Sequence, residues 1–283
     1  MNTPASTAPY AMVDSHQHFW RLDRGDYGWL TPAHAPIYRD FLPEHLAPQL
    51  AQAGVSTTIV VQAAATVAET RFLLDLAREH PFIAGVVGWV DFESATVADT
   101  IADLAANPLL VGLRPMIQDI PDPDWMLDTS LAPAFESMLD HGLVFDALVL
   151  PQHLPALLEL TARYPDLAMV LDHGAKPPIA TGNLAAWKQG ITALSRATTM
   201  VCKLSGLATE AGSVAPSALA PAVLHLLESF GPKRMMWGSD WPVCELVCPY
   251  DEWRATSDTL LARLTTTERE QIYSGTARAT YGI

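Results

Sequence analysis

Cationic side chains are scarce in this chain. Its 17 Lys and Arg face 31 Asp and Glu, a formal net charge of −14. A field of that sign repels polyphosphates, which counts against nucleic acid and anionic membrane surfaces as partners. Cysteine is scarcer still, with only Cys202, Cys244 and Cys248. An odd number clustered late in the chain is neither a disulfide framework nor a zinc ribbon. It favours a reducing compartment, here the cytoplasm, and the three read as ordinary buried thiols. No apolar run reaches the roughly 18 residues of a membrane-spanning helix. The opening MNTPASTAPYAM has neither the basic nor the apolar region of a secretory signal. Residues 1–11 are expected as a flexible lead and 12–283 as one folded domain. A GxGxxG turn and a phosphate loop are both missing, which removes the usual nucleotide-binding folds.

What is present is a recurring apolar run of strand length. Such runs lie at 13–18, 57–63, 83–91, 110–116, 143–149, 167–173, 199–205 and 234–240. They are rich in Val, Ile and Met with little alternation, as strands buried on both faces should be. Amphipathic stretches such as ETRFLLDLAREH (69–80) and PALLELTARY (155–164) separate them. After a wider first gap the runs recur about every 25–35 residues, close to the ~30 that a strand and its crossover helix need. Eight such units predict an α/β fold, a single-domain (β/α)8 TIM barrel. The first gap, over 19–44, is too long for a plain barrel loop. Its Trp20, Tyr27, Trp29 and Tyr38 predict an ordered aromatic loop over the barrel mouth.

Chemistry in such a barrel gathers at the carboxyl ends of the strands. The polar residues there are His16 and His18 on the first strand, then Gln62, then Trp89 and Asp91, then Arg114. Asp146, Asp172-His173, Lys203 and Asp240-Trp241 follow. A lone His-x-His is commonly structural, and an Asp in WGSDWP would ordinarily be a turn or cap residue. Their shared address at strand ends changes the reading. Alternation puts Asp14, His16 and His18 on one face. Closure of the barrel brings Asp240, on the last strand, beside the first. Two imidazoles and a carboxylate so placed are a candidate divalent-metal set. His34, in the aromatic loop, is the one other histidine with a candidate site role. His45, His80, His141, His153 and His225 are expected to be solvated or to cap.

SHQHFW, GLRP, LDHGAKP, KLSGL and GSDWP, in this order and spread over nearly the whole chain, resemble the amidohydrolase superfamily. Within it they resemble the branch of sugar lactonases that includes L-fucono- and L-rhamnonolactonases. The resemblance implies catalytic roles for Asp240, His16, His18 and His173. Binuclear members carry a bridging Lys or Glu on strand four and a histidine on strand five. Here Arg114 and LVFDALVL stand instead, so a two-metal centre is not expected. One divalent ion, such as zinc, on His16, His18 and Asp240 and a metal-free site are both left open.

The expected activity is hydrolysis of a sugar lactone to its aldonic acid, L-fuconolactone to L-fuconate first, in sugar catabolism. Asp240 would be the general base, and the histidines, Arg114 and Lys203 would meet the oxyanion. Gln62, Asp91, Trp29 and Trp241 suit a polyhydroxylated ring, and the expected partner is that small molecule. The rivals are a zinc-dependent decarboxylase of an aromatic acid and a pyrone-dicarboxylate lactonase, which would want more arginines. A barrel that binds a sugar without turning it over is a third.

Overall fold

The computed structural model describes residues 10–283, so most of the expected N-terminal lead lies outside the described residues. Eight parallel strands follow one another in chain order around a barrel. They are β1 (Met12–Gln17), β2 (Val55–Val61), β3 (Ile83–Gly88), β4 (Leu110–Leu113), β5 (Val144–Ala147), β6 (Met169–Leu171), β7 (Val201–Leu204) and β8 (Met235–Trp237). The main crossover helices are α1 (Pro43–Ala53), α2 (Val67–Glu79), α3 (Val97–Ala105), α4 (Ala132–Asp140), α5 (Leu154–Arg163) and α6 (Ala185–Ala197). After β7 come α7 (Leu207–Ala211) and α8 (Pro216–Phe230), and after β8 α9 (Tyr250–Leu260), α10 (Thr266–Glu270) and α11 (Thr276–Tyr281). Every expected strand is present, each trimmed at its polar end. The barrel is thus the one that the spacing of the apolar runs predicts.

Local chemistry accounts for the elements. In α2 the Thr66 hydroxyl accepts from the amide of Glu69, and Leu73, Leu74 and Ala77 turn one stripe inward. Proline at its first turn starts α1, and Gly54, left-handed at φ 72°, ends it. Inside the barrel, Val13, Ile59, Val61, Val87, Val144, Val170 and Met236 form one apolar layer, closed from below by Tyr281 of α11. Phe145, Trp237 and the helix stripes form the larger core outside the sheet. Burying each such side chain contributes roughly 1.5–3 kcal/mol.

The seam between β8 and β1 matters most for the site. Ser15 Oγ donates to Trp237 O at 2.7 Å. Above it the Asp240 amide donates to His16 O at 2.8 Å, and the His18 amide to Trp241 O at 2.7 Å. The last and first strand ends are therefore sewn together where the candidate residues stand. The expected common face for Asp14, His16 and His18 does not hold. A register irregularity between Asp14 and Gln17 breaks the alternation. Asp14 instead accepts from the Ser239 amide and from Tyr250 Oη of α9, on the helix side.

The segment after β1 is ordered, as its aromatics predict. Trp20 and Phe41 exchange both backbone hydrogen bonds at 2.9 Å and close the excursion at its base. Trp20, Tyr27, Ile37 and Phe41 are buried, but Tyr38 is 40% exposed and contributes nothing to the cover. The loop leans on the β2–α2 turn. Trp29 Nε1 donates to Ala63 O at 2.7 Å, and Thr66 Oγ1 to Asp26 at 3.0 Å. That turn is pinned by the buried Glu69, whose carboxylate accepts from the amides of Ala63 and Ala64. Burial pushes Glu69 from its ordinary 4.5 up to about 7, and the two amides offset only part of that.

This sets a pH dependence. Between about pH 4.5 and 7 the unfolded chain has released a proton that folded Glu69 still holds. The contribution is therefore present at low pH and lost as pH rises through that window, by about 3 kcal/mol in all. Denaturant unfolding at pH 5 and pH 8 should show Glu69→Gln with the smaller difference between the two. An unchanged difference removes Glu69 as the source.

Candidate active site

A cavity of about 210 Å3 opens at the carboxyl end of the barrel. Of the residues expected in the site, His18, Trp29, Arg114, His173 and Asp240 line it. Asp240 is the centre of the polar set. Its Oδ1 is 3.2 Å from His18 Nε2, 3.7 Å from His16 Nε2 and 4.0 Å from His173 Nε2. His16 and His18 Nε2 are themselves 3.2 Å apart. Burial alone would raise the Asp240 pKa, but His173, His18 and His16 together outweigh it and hold the carboxyl well below the usual range.

Two of the imidazoles are shifted down as well, which for a histidine favours the neutral form. Burial pushes His173 down to about 4 against the pull of Asp240 and Asp172. Burial likewise pushes His16 well below its ordinary value, with Asp172 opposing and Lys203 reinforcing. At neutral pH the site holds an ionised carboxylate beside the neutral rings of His16 and His173. Second partners fix the rings. His18 Nδ1 donates to Val61 O at 2.8 Å, and its Nε2 is hydrogen-bonded to Asp240 Oδ1 at 3.2 Å. His173 Nδ1 lies 2.9 Å from Ser205 Oγ. His173 is also left-handed, and so are Gly174, Ala175 and Lys176 after it, with φ from 47° to 58°. For the three non-glycine residues this is a strained backbone, of the kind stored at functional sites.

Beneath the cavity lies a sealed layer of charge. The Lys203 ammonium sits between Asp146 and Asp172, 3.0 Å from the latter and 3.2 Å from His16 Nδ1. Tyr281 Oη donates to both Asp146 oxygens at 2.9–3.0 Å. Arg114 Nη1 donates to Asp172 at 3.1 Å and its Nη2 to Gln62 O. Gln62 Nε2 returns a bond to Arg114 O at 2.7 Å. These groups orient His16 and Arg114 from below.

Several expected residues are placed elsewhere. Lys203 and Gln62 are buried beneath the cavity and brace the groups that line it. Trp241 is fully buried, packed on Phe41 with its indole N–H on Glu245, so it is core. Asp91 is exposed; its Oδ1 accepts from the Glu93 amide, and it faces the neighbouring cavity. His34 is half-exposed and its Nδ1 accepts from the Thr31 amide, a cap beside the edge of Trp29. His45 and His153 cap in the same way, and His153 is buried. Ala63, Met116, Gln118, Asp119, Leu148, Lys176 and Val243 line the cavity without having been singled out. For Lys176 a signal existed in LDHGAKP; the others stand in loops after strands, where periodicity gives no direction. Gln118 leaves its buried Oε1 without a partner.

The donor set suits a metal ion. His16, His173 and Asp240 offer ligand atoms that lie within 4.8 Å of one another, and His18 stands beside them. A tetrahedral ion with bonds of ~2.0–2.1 Å needs donors about 3.3–3.4 Å apart. The 3.2, 3.2 and 3.7 Å edges of His16, His18 and Asp240 bracket that spacing. A ligating histidine commonly gives its other N–H to a carbonyl, as His18 does to Val61.

Fold and site together define a (β/α)8-barrel enzyme with its chemistry gathered on the first and last strands. The family model described as Amidohydrolase matches residues 13–283, and the chain belongs to that family. It is 46% identical over 277 residues to an L-fucono-1,5-lactonase of Burkholderia ambifaria, covering 96% of this chain and 95% of that one. An L-fucono-1,5-lactonase of Burkholderia multivorans is 36% identical, with 96% of each chain covered. A crystal structure of an amidohydrolase from Burkholderia multivorans with bound zinc superposes with a TM-score of 0.91 at 35% identity, over 97% of this chain and 100% of that one. No described helix is long and apolar enough to cross a membrane.

Proposed function

We propose that the protein hydrolyses a sugar lactone to its aldonic acid, L-fucono-1,5-lactone to L-fuconate foremost, with Asp240 as general base. One observation carries the assignment. The Asp240 carboxylate, within 4.0 Å of three imidazole Nε2 atoms, lines a cavity of about 210 Å3 at the barrel mouth. The two Burkholderia lactonases support the choice of substrate.

Asp240 takes a proton from the water that attacks the lactone carbonyl. Negative charge grows on the carbonyl oxygen, and the Arg114 guanidinium and the neighbouring imidazole N–H groups are the donors available to it. When the acyl C–O bond of the ring breaks, the proton on Asp240 passes to the departing alkoxide. The product is the open hydroxy acid, and the base is restored. A divalent ion such as zinc, held by His16, His173 and Asp240 with His18 adjacent, would act as a Lewis acid toward the carbonyl. The wall charges balance, with Arg114 and Lys176 facing Asp119 and Asp240. That balance suits a neutral lactone better than a dicarboxylate.

The direct test is a pH-indicator screen of a sugar-lactone panel, with and without prolonged chelation. Turnover of L-fucono-1,5-lactone supports the reading, and survival after chelation also excludes the metal-dependent decarboxylase. No lactone turned over in either condition overturns it. A second expectation concerns the support of His173. A Cβ on Gly206, itself at φ 68°, would stand 2.6 Å from His173 Nδ1. Gly206→Ala should displace the ring and lower kcat/KM about 100-fold, the usual consequence of an ångström-scale misplacement. Near-native kinetics would separate His173 from catalysis.

A further inference from the structure

A second cavity, of about 330 Å3, lies against the first. Met116 and Asp119 line both, so one wall is shared. The catalytic cavity alone falls short of the ~300–1,000 Å3 usual for small-molecule sites, whereas the second reaches it. Its composition differs sharply from the first. Trp89 and the rim of Trp125 supply aromatic surface above the buried Phe92, and the charged groups are Asp91, Glu93 and Asp119. No Lys, Arg or His is among the described residues that line it.

We propose that this outer cavity is a subsite for a neutral pyranose ring linked to the lactone, so that the protein takes lactones of glycosylated aldonic acids as well as monosaccharide lactones. The proposal rests on the lactonase reading and extends its substrate class. Aromatic faces pack against the C–H faces of a sugar, while carboxylates accept from its hydroxyls through charge-assisted bonds. An all-carboxylate rim repels an anion. The surfaces are also set in advance. Trp125 Nε1 donates to Glu93 Oε1 at 2.7 Å, which fixes the indole and leaves Glu93 Oε2 unused by it. The Thr70 hydroxyl bonds both the N–H and the C=O of Trp89 at 2.8 Å, holding that backbone whatever the side chain does. Asp91 Oδ1 is occupied by the Glu93 amide, so Oδ2 is the acceptor it can offer. The reaction is unchanged: water adds across the acyl C–O bond, and the glycosidic bond is untouched.

The test uses the monosaccharide lactone that the protein turns over best, alongside a panel in which its hydroxyls carry a neutral pyranosyl unit at each linkage. One panel member carries an amino sugar, because aromatics and carboxylates also suit a cation. The expected result is a KM at least about tenfold lower for one neutral glycosyl lactone than for the parent. Trp89→Ala should return that KM to the parent's value and Glu93→Gln should raise it part of the way. Both variants should leave kcat and KM for the parent lactone unchanged, which also shows that they fold. The proposal is overturned if no neutral glycosyl lactone gains over the parent, if only the amino sugar gains, or if the gain survives Trp89→Ala. Failure of the lactonase reading itself looks different, since the parent lactone is then not turned over at all.

Discussion

Asp240→Asn should lower kcat by at least about 100-fold while L-fucono-1,5-lactone still binds. The amide keeps the size and the hydrogen bond to His18 but cannot take a proton from water. Positioned proton transfer of this kind is worth about 10²–10⁴-fold. The surroundings sharpen the expectation. The Nδ1 atoms of His16 and His173 are already engaged by Lys203 and Ser205, so neither ring is free to take over the geometry of the carboxylate. Substrate protection against thermal unfolding measures the binding, and initial rates measure the loss. A variant that binds and turns over like the parent would remove Asp240 as the base. A variant that binds without turnover also rules out a barrel that only stores its ligand.

The second large effect concerns stability. Lys203 is fully buried between Asp146 and Asp172, which are fully buried too. Lys203→Met keeps most of the length of the side chain and removes its charge. Two carboxylates would then share a dry layer with Arg114 as the one nearby cation. Removing one partner of a buried pair commonly costs about 3–5 kcal/mol, because the other charge is left uncompensated. Burial already raises Asp146 to about 6 with Lys203 in place. Urea unfolding should show a loss of this size at pH 7. Adding Asp146→Asn to Lys203→Met should recover part of it, since the orphaned charge goes with it. A single variant as stable as the parent would mean that the charged layer is not what holds the barrel interior together.

Sequence pattern carried the barrel a long way. Runs such as TTIVVQA and TMVCKLS read as buried strands because the sheet is covered on both faces, so nothing interrupts their apolar side chains. The strand ends read less well. Arg114, His173 and Asp240 lie one to three residues past their ladders, and the last two are left-handed, a geometry that no apolar pattern encodes. Chain order alone brought Asp240 to His16 and His18, because the last strand of a closed barrel must meet the first. Alternation failed for Asp14, where one register irregularity turns the side chain outward. Gln62 and Lys203 show a further limit. A polar residue at a strand end can be buried to serve the cavity or to brace a residue that does, and composition does not separate the two. Met116, Gln118 and Asp119 come from a loop whose direction only the packing decides.

The seam between β8 and β1 also sets when the site comes into being. His18 and Asp240 are 222 residues apart in the chain. At ribosomal speeds of ~5–20 residues per second, the imidazoles are synthesised roughly 10–45 s before the carboxylate they meet. A nascent chain therefore carries the strand-one histidines without their partner for most of its synthesis, and hydrolytic competence arrives only as the final eighth of the barrel closes.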